Sequence, residues 1–453
     1  MPKPVFAFVF SFVVLTPFTA RAADGPSNAA IADATRAHTE ASIGDRRWFH
    51  QHAELGNKEV ETAARVAATL EELGYQVERE VGVTGVLGLL DTGRPGPTVA
   101  IRADMDGLPV VEDADTANPV RSLNEGVMHA CGHDIHMSVG LGVARVLKDL
   151  EAQLSGKVLM LFQPAEEGIT SAEEKALLEA TGSDRVGAAR LVHDDKVLER
   201  HGVDAIFGLH GFPAAPAGVL AVLPEYALAS ADSYELVIRG RSAHAGLAPW
   251  TGSDVLHIAA GVVLDLHSLP ARRTDTRYPK VVSASMLDCT DGRTNILCRT
   301  ATISGTVRTY RPEDKADIRR EIKVILDAAV KKRDPAAGEC VEGGASDTLC
   351  WEIQTYDNYG PPVHQDPELL SWSAEVLRDA LGAERVPSGP PSLGAEDYAY
   401  FCEEIPCAFF ALGTGPEGGT GGLHTPQYAP SEDSIPVGMQ GLATLAARYL
   451  TSN

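Results

Sequence analysis

Three runs of sequence decide the fold: TVAIR at 98–102, MSVGLGVARVLKDL at 137–150 and KVLMLF at 157–162. The first and third runs are short, continuous and apolar, which is typical of strands buried on both faces of a parallel sheet. The middle run is apolar at helical spacing and is long enough for a buried helix. Strand, helix and strand in succession predict an α/β fold, with a mostly parallel sheet that helices flank.

The same α/β pattern of predicted helices and strands continues on both sides of these runs and is interrupted once. Outside the interruption, the predicted elements are helical sequence over 29–74 and 171–199, a strand at 85–91, and helices at 367–381 and 436–449. From about residue 229 the pattern changes to a strand, helix, strand, strand, helix unit, with elements at 233–239, 253–269, 281–287, 301–308 and 312–333. This unit predicts a compact α+β domain inserted into the larger one. The expected division is 23–228 for the first part of the larger domain, 229–338 for the insertion and 339–453 for the second part.

The first residues predict export from the cytoplasm. Lys3 precedes an apolar run over 5–20, and Ala20-Arg21-Ala22 places small residues where a signal peptidase cleaves. A membrane anchor is the alternative, but the run falls short of the roughly 20 apolar residues that span a bilayer. We therefore expect residues 1–22 to be a signal peptide and the mature protein to be periplasmic or secreted.

Composition and charge exclude several classes of protein and of partner. The chain has 453 residues, 44% of them hydrophobic and 22% charged, which is the composition of a globular protein and not of a disordered or fibrous one. Its 39 Lys and Arg against 62 Asp and Glu give a formal net charge of -23. Such a charge repels phosphate backbones and anionic lipids, so we expect neither nucleic acid nor a membrane surface as a partner.

Six of the seven cysteines fall into close pairs: Cys289 with Cys298, Cys340 with Cys350, and Cys402 with Cys407. An oxidising compartment favours disulfides between them and leaves Cys131 over. Six buried free thiols are the alternative, because spacing alone does not bring two Cβ atoms together.

Two motifs next to the decisive runs carry metal-binding chemistry. In HACGHD at 129–134, Cys131 and His133 offer a thiolate and an imidazole two residues apart, and Gly132 lets the backbone turn so that both converge. In QPAEEG at 163–168, the carboxylates of Glu166 and Glu167 follow the end of a buried strand, where α/β sheets place their sites. One carboxylate would bind a metal while the other acts as a base.

Two further histidines lie at the ends of predicted elements. His210 follows the strand 205–209, and His424 follows the turn-rich stretch 413–422. Taken alone, each is more typical of a structural histidine. Recurrence of polar groups at strand ends favours a shared site.

These motifs together resemble the aminoacylase and hippurate hydrolase family of two-metal amidohydrolases, in the branch of the indole-acetyl-amino-acid hydrolases. The resemblance runs in order through RRWFH at 46–50, RADMDGLP at 102–109, HACGHD, QPAEEG, FGLHG at 207–211, GAEDYAYF at 394–401 and LHTP at 423–426. It implies a two-metal catalytic domain with an inserted lid that also forms a homodimer. It implies hydrolysis of the amide bond of an N-acyl-amino acid to a carboxylic acid and a free amino acid.

Site roles follow from the resemblance position by position. The implied metal ligands are Cys131, His133, Glu167, His210 and His424. Glu166 would be the general acid and base, and Asp104 a carboxylate that orients a ligand. In the lid, His244 would stabilise the oxyanion in the partner subunit's site, while Asn295 and Arg308 would hold the substrate's carboxylate. The two metals would be zinc or manganese, with cobalt or nickel as alternatives.

Several alternatives stay open at this point. A metallo-carboxypeptidase or dipeptidase is the second candidate, since it would cleave the same bond in a small peptide. A cysteine hydrolase would use Cys131 as nucleophile with His133, and a binding protein would keep the fold without catalysis. The connection between Glu167 and His210 is longer than the branch usually has, so His193 is an alternative ligand to His210. Trp250 and Cys298 also depart from the pattern, which leaves the substrate open.

Overall fold

The computed structural model describes residues 25–168, 180, 182–342, 347–415 and 421–451. The predicted signal peptide lies outside the described residues, as do part of the helical prediction over 171–199 and part of the turn-rich stretch over 413–422. No helix within the described part of the chain is long and apolar enough to cross a membrane.

Helices and strands alternate along most of the chain. The helices are α1 (Asn28–Gln51), α2 (Val60–Glu72), α3 (His133–Asp149), α4 (Gly187–His193), α5 (Val197–His201), α6 (Val255–Arg272), α7 (Pro312–Arg333), α8 (Pro367–Leu381), α9 (Ala399–Glu404) and α10 (Ile435–Thr451). The strands are β1 (Gln76–Val81), β2 (Gly85–Asp91), β3 (Thr98–Asp104), β4 (Lys157–Gln163), β5 (Ala205–Pro216), β6 (Leu220–Val222), β7 (Tyr226–Leu228), β8 (Ser230–Arg239), β9 (Lys280–Asp288), β10 (Thr300–Thr309), β11 (Gly338–Glu339), β12 (Cys350–Gly360), β13 (Val363–His364) and β14 (Cys407–Gly415). Within the described residues the predicted elements are found, with the sequence over 29–74 divided into α1 and α2, while the prediction over 171–199 is tested only where α4 and the start of α5 lie.

The larger sheet has seven strands in the order β1-β2-β4-β3-β5-β14-β6. Its four central strands, β4, β3, β5 and β14, are parallel to one another, as expected. The remaining pairings are antiparallel, because β1 and β2 form a hairpin and β6 returns along β14. The sheet is thus mixed, with a parallel centre.

Helices cover both faces of this sheet. One apolar core joins the sheet to α1, α2, α3, α8 and α10 and contains Phe49, Val139 and Leu442. A second core lies on the opposite face and contains Leu191 of α4, Val197 of α5 and Phe401 of α9. Packing on both faces fixes the strands, and with them the side chains that follow each strand.

The inserted domain is a second sheet of five strands in the order β11-β12-β8-β10-β9, with α6 and α7 packed against it. Strand β12 pairs with β8, so that Trp351 lies opposite Ile238. The expected boundary at residue 338 therefore falls inside this sheet and is corrected to about Gly360. Local sequence could not reveal this, because the pairing partner β8 lies more than a hundred residues earlier in the chain.

All three predicted cysteine pairs are bonded, as Cys289–Cys298, Cys340–Cys350 and Cys402–Cys407. Cys131 is free and buried. The cysteine left over by pairing is thus the one in the metal-binding motif.

Candidate metal centre and active site

The candidate site lies at the carboxyl ends of the parallel strands. Asp104 ends β3, Glu166 and Glu167 follow β4, and His210 lies in the middle of β5. His424 follows β14 and comes back to the same edge, where its backbone N–H donates to the carbonyl of Ala130 at 2.8 Å. Parallel strands end at one edge of a sheet, and this brings residues distant in sequence into one cluster.

The turn that carries the two glutamates is held by two other carboxylates. Asp106 accepts the backbone N–H groups of Glu166 and Glu167, each at 3.0 Å. Glu59 accepts the N–H of Ala165 at 2.8 Å, where the backbone takes a positive φ of 51°. Burial and the neighbouring Asp106 raise the pKa of Glu59 to about 8. These contacts direct the two glutamate side chains into the cluster.

Gly132 lets the cysteine and histidine of the first motif converge. Its φ of +91° lies in the left-handed region, directly before α3 begins at His133. A Cβ at this position would lie 2.8 Å from the hydroxyl of Tyr428. Any larger residue would therefore displace either the turn or the tyrosine.

Cys131 lies between two of the predicted histidine ligands. Its Sγ is 3.3 Å from Nε2 of His210 and 3.3 Å from Nε2 of His424. The same nitrogen of His424 is 2.9 Å from Oε1 of Glu167. Burial and Glu167 raise the pKa of the Cys131 thiol, which is the opposite of what a nucleophilic cysteine needs.

His133 is surrounded by carboxylates. Its Nδ1 lies 3.2 Å from Asp106 Oδ1, and its Nε2 lies 3.7 Å from Glu166 Oε2 and 3.8 Å from Asp104 Oδ2. Although burial opposes a charged ring, these carboxylates raise the pKa of His133 to about 10. The ring of His133 therefore lies in a strongly negative environment.

The donor atoms fit divalent cations. His133 is fully buried, and the atoms closest to its ring nitrogens among the described residues are carboxylate oxygens and not ordinary neutral partners. Among the described residues, donor atoms within 4.8 Å of one another form overlapping groups that include Cys131, His133 and His210; Cys131, Glu167 and His424; His133, Glu166 and Glu167; and Asp104, His133 and His136. Thiolate, imidazole and carboxylate donors that converge in one buried cluster suit zinc and its neighbours.

Asp104 contacts histidines through hydrogen bonds. Its Oδ1 is 2.6 Å from Nδ1 of His136, and Nε2 of that ring accepts the backbone N–H of Gly211 at 2.8 Å. Asp104 therefore fixes the backbone next to His210. Although burial opposes its charge, Arg102 and the neighbouring histidines hold the pKa of Asp104 well below its usual range.

Arg102 is the centre of a buried polar network that the motifs did not identify. It donates to Asp104 Oδ2 at 2.6 Å, Glu396 Oε1 at 2.8 Å and Asp397 Oδ1 at 3.1 Å. It also donates to Gln163 Oε1 at 2.8 Å. An arginine in an otherwise apolar buried strand was the signal that could have revealed it, since such a charge requires partners.

A cavity of about 780 Å³ opens beside the cluster. Its lining includes Cys131, Glu166 and His424 of the larger domain and Arg308 of β10 in the inserted domain. The apolar part of the wall consists of Phe212, Leu228, Leu393 and Leu423. The cavity therefore lies between the larger domain and the inserted one.

His244 and Asn295 do not line this cavity. Both are exposed, on two adjacent loops of the inserted domain that are joined where the N–H of Ala245 donates to the carbonyl of Asn295 at 2.9 Å. Of the three predicted lid residues, only Arg308 is brought to the cavity of its own chain. The roles of all the predicted site residues stay predictions at this point.

Other histidines near the motifs are accounted for without metal. The ring of His193 packs against Tyr400 with centroids 5.8 Å apart, so it does not replace His210 in the cluster. His129 is buried behind the site, and burial lowers its pKa to about 3. It is therefore a neutral core residue.

Comparisons with known proteins agree with this geometry. The sequence profile of peptidase family M20/M25/M40 matches residues 100–448. The chain is 34% identical over 406 residues to IAA-amino acid hydrolase ILR1-like 2 of Arabidopsis thaliana, covering 89% of this chain and 84% of that protein. It is 32% identical over 414 residues to an N-acetyl-L-cysteine deacetylase of Bacillus subtilis, covering 91% and 88%. It is 31% identical over 407 residues to thermostable carboxypeptidase 1 of Saccharolobus solfataricus, covering 89% and 94%.

Solved structures give the same result. A putative aminohydrolase from methicillin-resistant Staphylococcus aureus superposes with a TM-score of 0.80 at 29% identity, covering 94% of this chain and all of that one. The YXEP protein of Bacillus subtilis, described as a dinuclear metal binding peptidase from the M20 family, superposes with a TM-score of 0.73 at 29% identity, covering 92% and 100%. The chain therefore belongs to peptidase family M20/M25/M40 and is a metal-dependent hydrolase of amide bonds.

Proposed function

We propose that the protein hydrolyses small N-acyl-amino acids to a carboxylic acid and a free amino acid. The observation that carries this proposal is one cavity that is lined both by members of the metal-type donor cluster with Glu166 and by Arg308. A guanidinium is the best protein partner for a carboxylate. The arrangement suits a substrate that presents an amide to the cluster and a carboxylate to Arg308.

The size of the cavity and the apolar residues that line it favour a small substrate. Its volume of about 780 Å³ is in the range of small-molecule sites. Phe212, Leu228 and Leu393 offer an apolar surface to an acyl group or an amino-acid side chain. The net charge of -23 further supports a small-molecule partner in place of nucleic acid.

Two divalent metal ions would be held by Cys131, His133, Glu167, His210 and His424. Zinc or manganese fits these donors, with cobalt or nickel as alternatives. When bound, such ions polarise a carbonyl and bring the pKa of a coordinated water toward neutrality. The convergence of these donor atoms in one cluster supports this assignment.

Glu166 would transfer the proton from the attacking water to the leaving amine. Burial, Glu396 and Glu167 raise the pKa of Glu166 above its usual range, which suits a group that accepts a proton and later gives it up. It would take a proton from the attacking water and deliver it to the amine that leaves. Asp104 would hold His136 and the backbone beside His210 while this happens.

We also propose a homodimer through the inserted domain. Leu264 of α6 and Met286 of β9 are 72% and 64% exposed, and Leu287 is exposed beside them. Strand β9 is an edge strand with no second partner among the described residues. An apolar patch at a sheet edge is a typical subunit interface. In the dimer, the exposed His244 would act on the oxyanion in the partner subunit's site, and Asn295 would bind the substrate's carboxylate there.

Export to the periplasm or medium is part of the same proposal. The leader sequence over 1–22 supports it, and so do three disulfides, which persist in oxidising compartments.

A metallo-carboxypeptidase or dipeptidase is the second candidate. Arg308 favours it equally, because a peptide's terminal carboxylate would make the same contact as that of an acylated amino acid. The carboxypeptidase relative supports this candidate, and the deacetylase and IAA-amino acid hydrolase relatives support the first.

One substrate screen separates the candidates. Purified protein is loaded with each of the four metals in turn and assayed against N-acetyl and N-aroyl amino acids, dipeptides and the matching amides that lack a free carboxylate. We expect acylated amino acids to be cleaved fastest, the carboxylate-free amides slowly, and activity to disappear in chelator and return with metal. Faster cleavage of dipeptides would select the second candidate. Activity that resists chelator but not a thiol alkylator would overturn both in favour of a cysteine hydrolase.

Arg308 offers a matched pair of variants in the same assay. Arg308→Gln should raise KM by about 10–100-fold, since a charged hydrogen bond to the substrate is worth roughly 1.5–3 kcal/mol. Arg239→Gln, on the adjacent strand and paired with Glu352 at 2.6 Å outside the cavity, should leave KM unchanged. Equal effects of the two changes would remove Arg308 from the site.

A further inference from the structure

We propose that the Cys289–Cys298 disulfide is a positioning element for catalysis, because it holds the loop of Asn295 against the loop of His244. This inference rests on the proposed function, in which these two residues serve the partner subunit's site. It assigns a role in turnover to a bond that lies in the inserted domain, outside the cavity.

The disulfide closes the loop between β9 and β10. Cys289 follows the last residue of β9, Cys298 lies just before β10, and Asn295 lies between them. Their Cα atoms are 6.0 Å apart. The loop is therefore pinned at its base, and the bridge spans the residue proposed to bind substrate.

Backbone hydrogen bonds join this loop to the loop of His244. The N–H of Leu297 donates to the carbonyl of Ala243 at 2.9 Å, and the N–H of Ala245 donates to the carbonyl of Asn295 at 2.9 Å. The hydroxyl of Ser242 adds a bond to the carbonyl of Leu297 at 2.7 Å. The two loops thus form one short antiparallel unit, and displacement of either one moves the other.

The unit formed by these two loops has few buried apolar contacts that would hold it in place. Within the bridged loop, Arg293, Thr294, Asn295 and Ile296 are all exposed. Cys298 is buried in the core of the inserted domain, and Cys289 packs against that core. An exposed loop without apolar anchors samples many conformations, and a covalent link at its base removes most of them. The disulfide therefore supplies the order that burial supplies elsewhere in the domain.

The conformational order of these two loops affects the rate of catalysis more than the stability of the fold. A catalytic group displaced by about 1 Å can lose on the order of a hundredfold in rate. The unit is largely exposed, and the bridged loop contacts the apolar core of the inserted domain through Cys298 and Cys289. Opening the bridge should consequently reduce turnover while the fold persists.

The primary variant is Cys289→Ser, which opens the bridge and leaves Cys298 in its buried position. Cys340→Ser is the matched control, because it opens the disulfide at β11 and β12, in the same sheet but with no bond to either loop. We expect kcat/KM to fall about 10–100-fold in the first variant and less than twofold in the second. Amide hydrogen exchange should quicken over both 289–298 and 242–247 in the first variant only.

A double-mutant cycle separates positioning from general loosening. In a His244→Ala, Asn295→Ala background, Cys289→Ser should change kcat/KM by less than about twofold, because the groups it positions are gone. An equal loss in both backgrounds, or a wild-type rate in Cys289→Ser, would overturn the inference. A wild-type rate in the His244→Ala, Asn295→Ala protein would instead overturn the proposed roles of those residues. If Cys289→Ser fails to fold, the double variant Cys289→Ala, Cys298→Ala is assayed against the same criteria. If the double variant also fails to fold, the claim that the fold persists without the bridge is contradicted.

Discussion

Replacing Arg102 with methionine should destabilise the larger domain more than any surface change. Arg102 is fully buried, and its guanidinium donates to the carboxylates of Asp104, Glu396 and Asp397. Methionine is unbranched, uncharged and shorter than arginine, and it leaves these three carboxylates without that partner. Breaking a buried ion pair from one side costs about 3–5 kcal/mol of the free energy of unfolding, since a charge is left unpaired away from water.

Urea unfolding followed by circular dichroism measures this loss, with Arg79→Met as the matched control. Arg79 pairs with Glu71 at 2.8 Å, but both side chains are about half exposed, and such pairs contribute about 0–1 kcal/mol. A loss for Arg102→Met no larger than that for Arg79→Met would refute the view that this network organises the site. Arg102→Lys should fall between them, because it keeps the charge and loses the planar fork.

Three further outcomes are expected. The first is a count of alkylated thiols by mass, with denaturant in every sample but the native one. The count should be zero in the native metal-loaded protein, one (Cys131) after chelation, and seven after chelation and reduction. Several free thiols before reduction would contradict the three disulfides. Because the pKa of Glu59 is raised to about 8, the folded protein keeps a proton that the unfolded chain has released, so its stability falls as pH rises toward 8. Glu59→Gln has no such proton, so the difference in urea midpoint between this variant and the wild type should shift in favour of the variant from about pH 5 to about pH 8. The same difference at both pH values would contradict this. Gly132→Ala should lower metal occupancy after dialysis, since its Cβ would lie 2.8 Å from the hydroxyl of Tyr428 at a φ of +91°; full occupancy would show that the turn tolerates a side chain.

Local patterns predicted the elements well where packing and propensity agree. The helix expected at 367–381 has those bounds, with the Asp366 side chain capping it and a proline in its first turn. The helix expected from Met137 begins earlier, at His133, because Gly132 turns the chain directly into it. The helical stretch over 29–74 is broken between Gln51 and Val60, where Asn57 takes a positive φ that a continuous helix does not allow.

What the sequence did not predict depends on contacts between distant segments. The pairing of β12 with β8, which moves the end of the inserted domain, is decided in three dimensions. The same holds for Arg102, whose partners Glu396 and Asp397 lie about 290 residues away. The predicted metal ligands, by contrast, lie in short motifs at strand ends, and these converge because the strands are parallel.

The measurement that tests the central claim most directly is metal content and turnover together in Glu166→Gln. The substitution keeps the shape of the side chain and removes its ability to carry a proton, while the five proposed ligands are unchanged. We predict two metal ions per chain, as in the wild type, and a loss of turnover of about 10²–10⁴-fold. A metal-depleted variant would show that Glu166 is a ligand and reverse its role with Glu167, and an unchanged turnover with full metal would contradict the proposed mechanism.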